Sequence, residues 1–256
     1  MCRMLAFASQ HERTLDDALA GEFRSFALLS KAHKDGWGTA EISPRGTVEI
    51  HKAPKIAFDD PDFWSSTEGI QSRAAFVHLR WATGTALDAR NTHPFLLDGM
   101  AFCHNGLVKD TGPLERRIPA DLLEQRRGES DSEVYFLALL SAWRRSGDLR
   151  EAVGAVTRII REECGFSGIN FLLLTQSHLH VFEGFDPSAE ILEDDPHYYE
   201  LHLKADEGTI AVASSGWAAD AWPPLQNGDL VSVNLQDLRF ETHSIAGFER
   251  TGRTAS

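Results

Sequence analysis

The order of helices and strands predicted from the sequence is that of an α+β fold. A strand and a helix come first, several strands follow, then two adjacent helices, and then a second group of strands. Strands grouped in this way around paired helices indicate α+β layers rather than alternating β-α-β units. No change of composition marks a boundary, so the sequence predicts one domain over 2–250, with 251–256 as a frayed tail.

The first predicted strand starts directly after Cys2. Arg3–Ala8 is a short apolar run, and a buried strand here would fix Cys2 at one end of a sheet. A helix pattern follows from Thr14, which forms a typical N-terminal cap with Asp17. Apolar periodicity and turn residues predict the next elements: a tight turn over 33–38, a hairpin of 39–42 with 47–52, a short helix over 61–71 and a strand over 74–80.

The second half begins with a short predicted strand, Met100–Cys103, that ends in His104-Asn105-Gly106. Ser130 with Glu133 is a capping-box pattern, which predicts the start of a long helix, and a second helix covers about 149–162. The apolar period then falls to two. It predicts strands over 170–175, 178–183, 198–204, 209–213, 230–234 and 238–243, the first two as a hairpin.

Composition excludes several classes of protein. Of the 256 residues, 42% are hydrophobic and 25% charged, as in an ordinary globular protein. The net charge of −13 argues against binding to nucleic acid or an anionic membrane, and no apolar run reaches transmembrane length. Three cysteines, Cys2, Cys103 and Cys164, form no disulfide framework, and the first ten residues are too short an apolar run for a signal peptide. We therefore expect a reducing, cytoplasmic location.

Cys2 is a candidate nucleophile because of its position. Initiator Met is usually removed before a small residue, and Cys2 would then carry a thiol and a free α-amine on one carbon. An α-amine titrates near ~7.7–8.0 and a thiol near ~8.5, so at neutral pH some of the amine can take the thiol proton. Nucleophilic catalysis needs such a pairing of nucleophile and base. With Met1 attached, the amine is part of a peptide bond and this chemistry cannot run.

The remaining parts of an acyl-transfer site can be found in the sequence. Asn105-Gly106 offers a side-chain amide and an adjacent backbone N–H as an oxyanion hole, and glycine allows close approach of a substrate. Arg80 can bind a carboxylate bidentately. Asp131, at a predicted helix start, can pair with an ammonium. Together these residues offer the oxyanion donors and the substrate contacts that an acyl-transfer site needs.

Each of these residues also has a purely structural interpretation. Arg80 can form an ordinary ion pair with one of the 38 acidic side chains. Asn105-Gly106 is a typical type I′ turn pair, which is compatible with an oxyanion role. Asp131 can be a first-turn acid favoured by the helix dipole.

Trp37 and His93 are the remaining substrate-binding candidates. Trp37, between two glycines, can equally be a loop anchor, and His93 before Pro94 can be a hydrogen-bond partner that organises its loop. His78, His93 and His104 could form a zinc site with a cysteine, but they lack the short paired spacing of metal motifs. We expect neither a metal nor another cofactor.

Taken together and in order, these motifs resemble the class II glutamine amidotransferases, which are N-terminal-nucleophile hydrolases. The resemblance covers about the first 140 residues motif by motif. A later region, Ala213-Ser214-Ser215 with 225–231, is similar to the small stand-alone members. The motifs are Met1-Cys2-Arg3, Asp35-Gly36-Trp37-Gly38, His78-Leu79-Arg80-Trp81-Ala82-Thr83, Asn91-Thr92-His93-Pro94-Phe95, His104-Asn105-Gly106 and Ser130-Asp131-Ser132-Glu133.

The resemblance implies a fold and a set of roles. The fold is a four-layer αββα sandwich, with two antiparallel sheets face to face and helices outside. Cys2 would be the nucleophile with its own amine as base, and Asn105 and Gly106 would form the oxyanion hole. Arg80 would bind the glutamine α-carboxylate with Thr83 near it, and Asp131 the α-amine. Larger members often have His-Gly after the Arg-Trp-Ala-Thr run, where this chain has Gly84-Thr85.

Three functions follow as hypotheses. The leading one is hydrolysis of the γ-amide of glutamine through a Cys2 thioester, giving glutamate and ammonia, which a separate partner protein could accept. The second keeps this chemistry on a γ-glutamyl-cysteine conjugate, as in stand-alone relatives that act in ergothioneine synthesis. The third is a non-catalytic protein that binds a γ-glutamyl ligand. The first two hypotheses differ in the part of the pocket that contacts the leaving group, and the sequence does not define that part.

Overall fold

The computed structural model describes residues 2–206 and 208–250. Met1 and the predicted tail at 251–256 lie outside the described residues. Among the described residues, no helix is both long and apolar enough to cross a membrane.

Twelve strands form two antiparallel sheets of six strands each. The first sheet has the order β3-β2-β4-β1-β10-β9 and the second β12-β11-β8-β7-β6-β5. The strands of the first sheet are β1 (Arg3–Arg13), β2 (Gly36–Ile42), β3 (Val48–Ala53), β4 (Ser72–Arg80), β9 (Leu201–Asp206) and β10 (Thr209–Ser214). Those of the second sheet are β5 (Phe95–Leu97), β6 (Met100–Val108), β7 (Phe166–Leu174), β8 (His178–Phe182), β11 (Asp229–Asn234) and β12 (Phe240–Ser244).

Helices cover the outer faces of both sheets. They are α1 (Leu15–Ala18), α2 (Phe23–Leu28), α3 (Pro61–Glu68), α4 (Gly112–Glu115), α5 (Ala120–Leu123), α6 (Asp131–Ser146) and α7 (Leu149–Ile159). A further short helix, α8 (Ile191–Asp194), packs in a separate small cluster with Phe185 and Tyr198. A short π-helical segment, Ile160–Cys164, continues α7. The two long helices, α6 and α7, pack against the second sheet, whereas α1, α2 and α3 pack against the first.

Three apolar clusters separate the layers. Alternation along β1 shows the principle, because successive strand side chains point to opposite faces. Met4 packs between the two sheets, together with Phe76 and Leu172, and Leu5 packs on the other face of its sheet, under the helices. A third cluster lies between the second sheet and α6 with α7. The predicted four-layer αββα sandwich is therefore confirmed.

The start and end of α6 follow sequence signals, with one difference. Ser130 caps the helix as predicted, since its hydroxyl accepts from the Ser132 N–H at 3.2 Å. Gly147 ends the helix in the left-handed conformation with φ of 72°. The capping box is incomplete, because the Glu133 carboxylate accepts instead from the N–H groups of Arg127 and Gly128, at 3.0 and 2.7 Å.

Two local predictions were wrong. The helix expected after Thr14 is two short helices, because Ala20 and Gly21 have positive φ between them. The turn expected over 33–38 ends earlier, since β2 already begins at Gly36. At Gly38 a Cβ would lie 2.1 Å from the His93 carbonyl oxygen, so this glycine permits close packing rather than a turn.

Asn105-Gly106 is likewise not a hairpin turn. Both residues lie within β6, which continues to Val108 and pairs with β7. The second glycine is needed there because a Cβ at Gly106 would lie 1.8 Å from the Gly168 carbonyl oxygen of β7. The close contact between two strands, rather than a reversal of the chain, explains the pair.

Candidate active site

Cys2 stands where the two sheets meet. It directly precedes β1, and its side chain is buried, with 7% of the residue exposed. Its backbone N–H donates to Asn105 Oδ1 at 3.0 Å, which connects the start of β1 to β6 in the opposite sheet. The thiol Sγ lies 3.8 Å from the Trp81 carbonyl oxygen, just after β4. Three strands thus bring residues far apart in sequence to the thiol.

Burial raises the pKa of the Cys2 thiol. The positive charge of Arg80 opposes this effect and the negative charge of Asp131 adds to it. A buried thiol with a raised pKa is a poor nucleophile by itself, so it requires an adjacent base.

Asn105 has one amide atom bound and one free. Its Oδ1 accepts from Cys2, whereas its Nδ2 is buried and has no hydrogen-bond partner among the residues that the structure describes. A buried donor without a partner costs ~1–3 kcal/mol. An unpaired amide donor on a residue that contacts the Cys2 backbone is suited to binding a negative oxygen. Gly106, the next residue, lines the cleft that contains Cys2, whereas Asn105 is not among the lining residues of that cleft.

Arg80 lies at the end of β4 and is 3% exposed. Its Nη1 donates to the Asp35 carbonyl oxygen at 3.3 Å and its Nη2 to Thr85 Oγ1 at 2.6 Å. Within the described chain it forms no ion pair with a carboxylate, so the structural interpretation as an ordinary ion pair is wrong. Burial lowers its pKa. A buried guanidinium held only by neutral oxygens is well placed to bind an anion.

Asp35 and Thr85 are site residues that the sequence reasoning did not single out. The Asp35 Oδ2 accepts from the Ala82 N–H at 2.8 Å, and its own N–H donates to the Arg80 carbonyl oxygen at 3.0 Å. Asp35 therefore fixes the loop that follows β4. The Asp-Gly-Trp-Gly motif was the signal that could have identified it. Thr83, in the same loop, is exposed and lines the cleft.

Asp131 is the first residue of α6 and lines the cleft opposite Arg80's loop. Its Oδ2 accepts from the Val108 N–H at 2.8 Å, which ties the helix to the end of β6. Its Oδ1 lies 3.4 Å from the hydroxyls of Ser130 and Ser132. A carboxylate has about four acceptor sites, so these contacts leave capacity for an ammonium group.

Two buried histidines line the cleft as well. His93 has its ring centroid 4.2 Å from that of His78, and burial lowers its pKa well below the usual range. His104 is held through Nδ1 by Ser132 Oγ at 2.9 Å and through Nε2 by the Gly168 carbonyl oxygen at 3.1 Å. In the described ranges, no three His, Cys, Asp or Glu side chains are arranged to hold a metal ion.

Trp37 is not brought to the cleft. It is buried in β2, where its Nε1 donates to Asp60 Oδ2 at 2.9 Å and its ring packs edge-on against Phe63 with centroids 5.4 Å apart.

The cleft is lined by Cys2, Arg80, Trp81, Ala82, Thr83, Thr85, His93, His104, Gly106, Ser130, Asp131 and Ser132. Its free volume is about 20 Å³, which is room for about one water molecule. The cleft is therefore narrow, and Thr83 and Thr85 of the loop after β4 form part of its wall.

Solved structures of other proteins share the fold of this chain. Across 96% of the chain the fold superposes on a glutamine aminotransferase class-II domain protein from Silicibacter pomeroyi, with a TM-score of 0.67 and 18% identity, covering all of that chain. It also superposes on the glutamine PRPP amidotransferase of Bacillus subtilis, with a TM-score of 0.65 and 19% identity, over 98% of this chain and 50% of that one. The fold is that of the N-terminal-nucleophile hydrolases.

Sequence comparison gives the family. The family model for glutamine amidotransferases class-II matches residues 1–230, so the chain belongs to that family. A Haemophilus influenzae protein, provisionally assigned as a glutamine amidotransferase, is 25% identical over 252 residues, which cover 90% of this chain and 83% of that protein. A glutamine–fructose-6-phosphate aminotransferase of Rhizobium meliloti is 34% identical over 95 residues, covering 37% of this chain but 15% of that enzyme.

Proposed function

We propose that the protein hydrolyses the γ-amide of glutamine through a thioester at Cys2, releasing glutamate and ammonia. One observation carries this proposal. The Asn105 side chain holds the Cys2 nitrogen with its Oδ1, and its Nδ2 is buried without a partner among the described residues. One amide group can therefore orient the base and receive the oxyanion.

The nucleophile needs removal of Met1, which turns the Cys2 N–H into a free amine. That amine keeps its hydrogen bond to Asn105 Oδ1 and takes the thiol proton. The thiolate sulfur then bonds to the amide carbon, and the carbonyl oxygen becomes an oxyanion. We assign the Asn105 Nδ2 and the Gly106 N–H as its two donors, an arrangement in which each donor is worth ~2.7–4 kcal/mol of barrier.

Collapse of this intermediate breaks the carbon–nitrogen bond. The protonated amine gives its proton to the departing nitrogen, which leaves as ammonia, and the acyl group stays on sulfur as a thioester. A water molecule then attacks the thioester carbon with the Cys2 amine as base, and sulfur leaves as the thiolate. The proton on the amine returns to sulfur, so the enzyme is regenerated without a cofactor.

The charged ends of glutamine are bound by opposite charges in the cleft. We assign Arg80 to the α-carboxylate and Asp131 to the α-amine, with Thr83 beside the carboxylate. The hydroxyl of Thr85 occupies Arg80 Nη2, so the substrate carboxylate displaces it. His93 forms part of the cleft wall, and Trp37 supports β2 from the core rather than touching substrate.

The proposal extends to the setting of the enzyme. The three cysteines, Cys2, Cys103 and Cys164, are free and buried, which favours a reducing, cytoplasmic location. Ammonia would pass to a separate acceptor protein. The substrate class follows from the family, whose members act on glutamine-like amides.

The first experiment is intact mass before and after incubation with a glutamine-mimicking diazoketone. We expect a chain that lacks Met1 and gains one adduct, which is lost in Cys2→Ala and kept in the control Cys103→Ala. Glutaminase activity should be lost in Cys2→Ala. A chain that retains Met1 and gains no adduct would favour the non-catalytic binding protein. Cleavage of a γ-glutamyl-cysteine conjugate far faster than free glutamine would favour the second substrate class.

A further inference from the structure

A second and larger cavity lies at the open edge of the sandwich. It is bounded by β3 and β5, the neighbouring edge strands of the two sheets, and by helix α6. Its volume is about 340 Å³, at the lower end of the range for small-molecule sites. The cavity is thus much roomier than the cleft at Cys2.

The floor of this edge cavity is apolar. Phe95 of β5 and Phe136 and Leu137 of α6 are buried there, and the partly exposed Leu96 and Leu97 extend the surface outward. Side chains of this kind bind an apolar ligand body by removing it from water.

Cationic groups border the same cavity. Lys52 of β3, Arg90 and Arg127 all line it. Arg90 is neutralised by Asp88, with Nη2 3.0 Å from Oδ2. Lys52 and Arg127 form no ion pair with any carboxylate in residues 2–206 and 208–250. These two positive side chains therefore have no carboxylate within ion-pair distance, in a protein whose net charge is −13.

The lining contains one carboxylate, Glu133, and its single negative charge leaves the lining with a net positive charge. Glu133 accepts hydrogen bonds from two backbone N–H groups, so its oxygens are already engaged. The Lys52 ammonium donates to the carbonyl oxygens of Thr92 and Pro94, at 2.7 and 3.0 Å, which leaves one of its three protons. Burial lowers the pKa of Lys52 to about 8, and the Glu133 charge opposes this, so the ammonium remains largely charged at pH 7.

We propose that the edge cavity binds a small organic anion, a carboxylate or phosphate attached to an apolar body. Arg127 and Lys52 bind the charged group, and Phe95, Phe136 and Leu137 contact the apolar part. Arg127 provides five N–H donors, and its side chain makes no hydrogen bond within the described residues. Its planar guanidinium suits either charged group.

The edge cavity is separate from the cleft but shares a wall with it. His93 lines the cleft, Phe95 lines the cavity, and their rings pack edge-on with centroids 4.9 Å apart. Binding in the cavity therefore does not require Cys2, and the proposal stands apart from the proposed hydrolase chemistry.

The test is calorimetric titration of the full chain carrying Cys2→Ala, so that no thiol chemistry contributes. The probes are 3-phenylpropionate and phenyl phosphate, with 3-phenylpropanol as the uncharged match. We expect at least one anion to bind and the alcohol to bind much more weakly. Arg127→Gln should weaken binding of the anion by about tenfold or more, which is the effect expected from loss of a charged hydrogen bond. The control Arg116→Gln, which removes an exposed arginine outside the lining, should not.

Arg80→Gln distinguishes the edge cavity from the cleft, where a carboxylate could also bind. Unchanged binding in Arg80→Gln together with weakened binding in Arg127→Gln supports the proposal. Binding that depends on Arg80 and not on Arg127 overturns it. No binding of either anion also overturns it, and this result would leave the hydrolase proposal untouched.

Discussion

Replacing Asn105 by Ala separates catalysis from stability. The change removes the Nδ2 donor and the Oδ1 that holds the Cys2 nitrogen. Losing one oxyanion donor reduces kcat by ~10²–10³, or ~2.7–4 kcal/mol. Loss of the contact to the amine adds to this effect. We therefore expect at least a 100-fold lower kcat for glutamine, about the lower limit for one donor.

The effect on folding should be small for a specific reason. Removing the unpaired Nδ2 relieves a penalty of ~1–3 kcal/mol, and this offsets the lost hydrogen bond to Cys2. Asn227 is the matched control, because its amide is fully used: Oδ1 accepts from the Phe185 N–H at 2.9 Å and Nδ2 donates to the Phe185 carbonyl oxygen at 3.0 Å. Asn227→Ala should cost ~1–3 kcal/mol of unfolding free energy, because it leaves buried backbone groups unpaired.

The assays are ammonia release from glutamine and urea unfolding, on chains shown by mass to begin at Cys2. Asn105→Ala should lose activity and keep its unfolding midpoint, whereas Asn227→Ala should keep kcat and lose stability. An Asn105→Ala protein with kcat within a few-fold of the parent would refute the oxyanion assignment. A loss of stability as large as that of Asn227→Ala would mean that Asn105 is structural.

Three further predictions test other parts of the structure. Arg80→Lys should lower kcat/KM for glutamine by about 10–100-fold, because an ammonium cannot replace the bidentate guanidinium, and unchanged kinetics would remove Arg80 from the carboxylate site. Gly106→Ala should destabilise the fold by more than about 3 kcal/mol, because the new Cβ would lie 1.8 Å from the Gly168 carbonyl oxygen and the residue has a φ of 145°. Urea unfolding measures this loss, and a midpoint equal to that of the parent would contradict the prediction. Burial lowers the pKa of His180 to about 3, so from pH 7 to 5 the unfolded chain gains a proton that the native chain does not, and stability falls by ~2 kcal/mol. His180→Phe should lose that part of the pH dependence in urea unfolding at the two pH values, and an unchanged difference would contradict the burial argument.

Local patterns in the sequence predicted an α+β fold and most of its elements, whereas the four-layer αββα arrangement was implied by the family resemblance. Apolar periodicity located the long helices α6 and α7, and the Ser130 cap marked the start of α6 correctly. The hairpin of β7 and β8 followed from alternation with a turn between the strands. Such signals need no knowledge of neighbours in space.

The structural role of two glycines could not be predicted from the sequence. Gly38 and Gly106 look like turn residues, yet both lie in strands where another backbone leaves no room for a Cβ. Sterics between distant segments, His93 against β2 and β7 against β6, decide these positions. No local pattern records which segment will lie opposite.

In the candidate site, too, residue types could be interpreted from the sequence, whereas their contacts could not. Residue chemistry proposed Cys2, Asn105, Arg80 and Asp131, because nucleophile, amide and opposite charges are visible in the sequence. Only the tertiary structure decided that Trp37 packs in the core instead of the cleft. It also decided that Arg80 has neutral oxygen partners and that the Asn105 amide reaches Cys2 across the two sheets. Side-chain type is a local property, whereas burial and hydrogen-bond partners are set by which strands pack together.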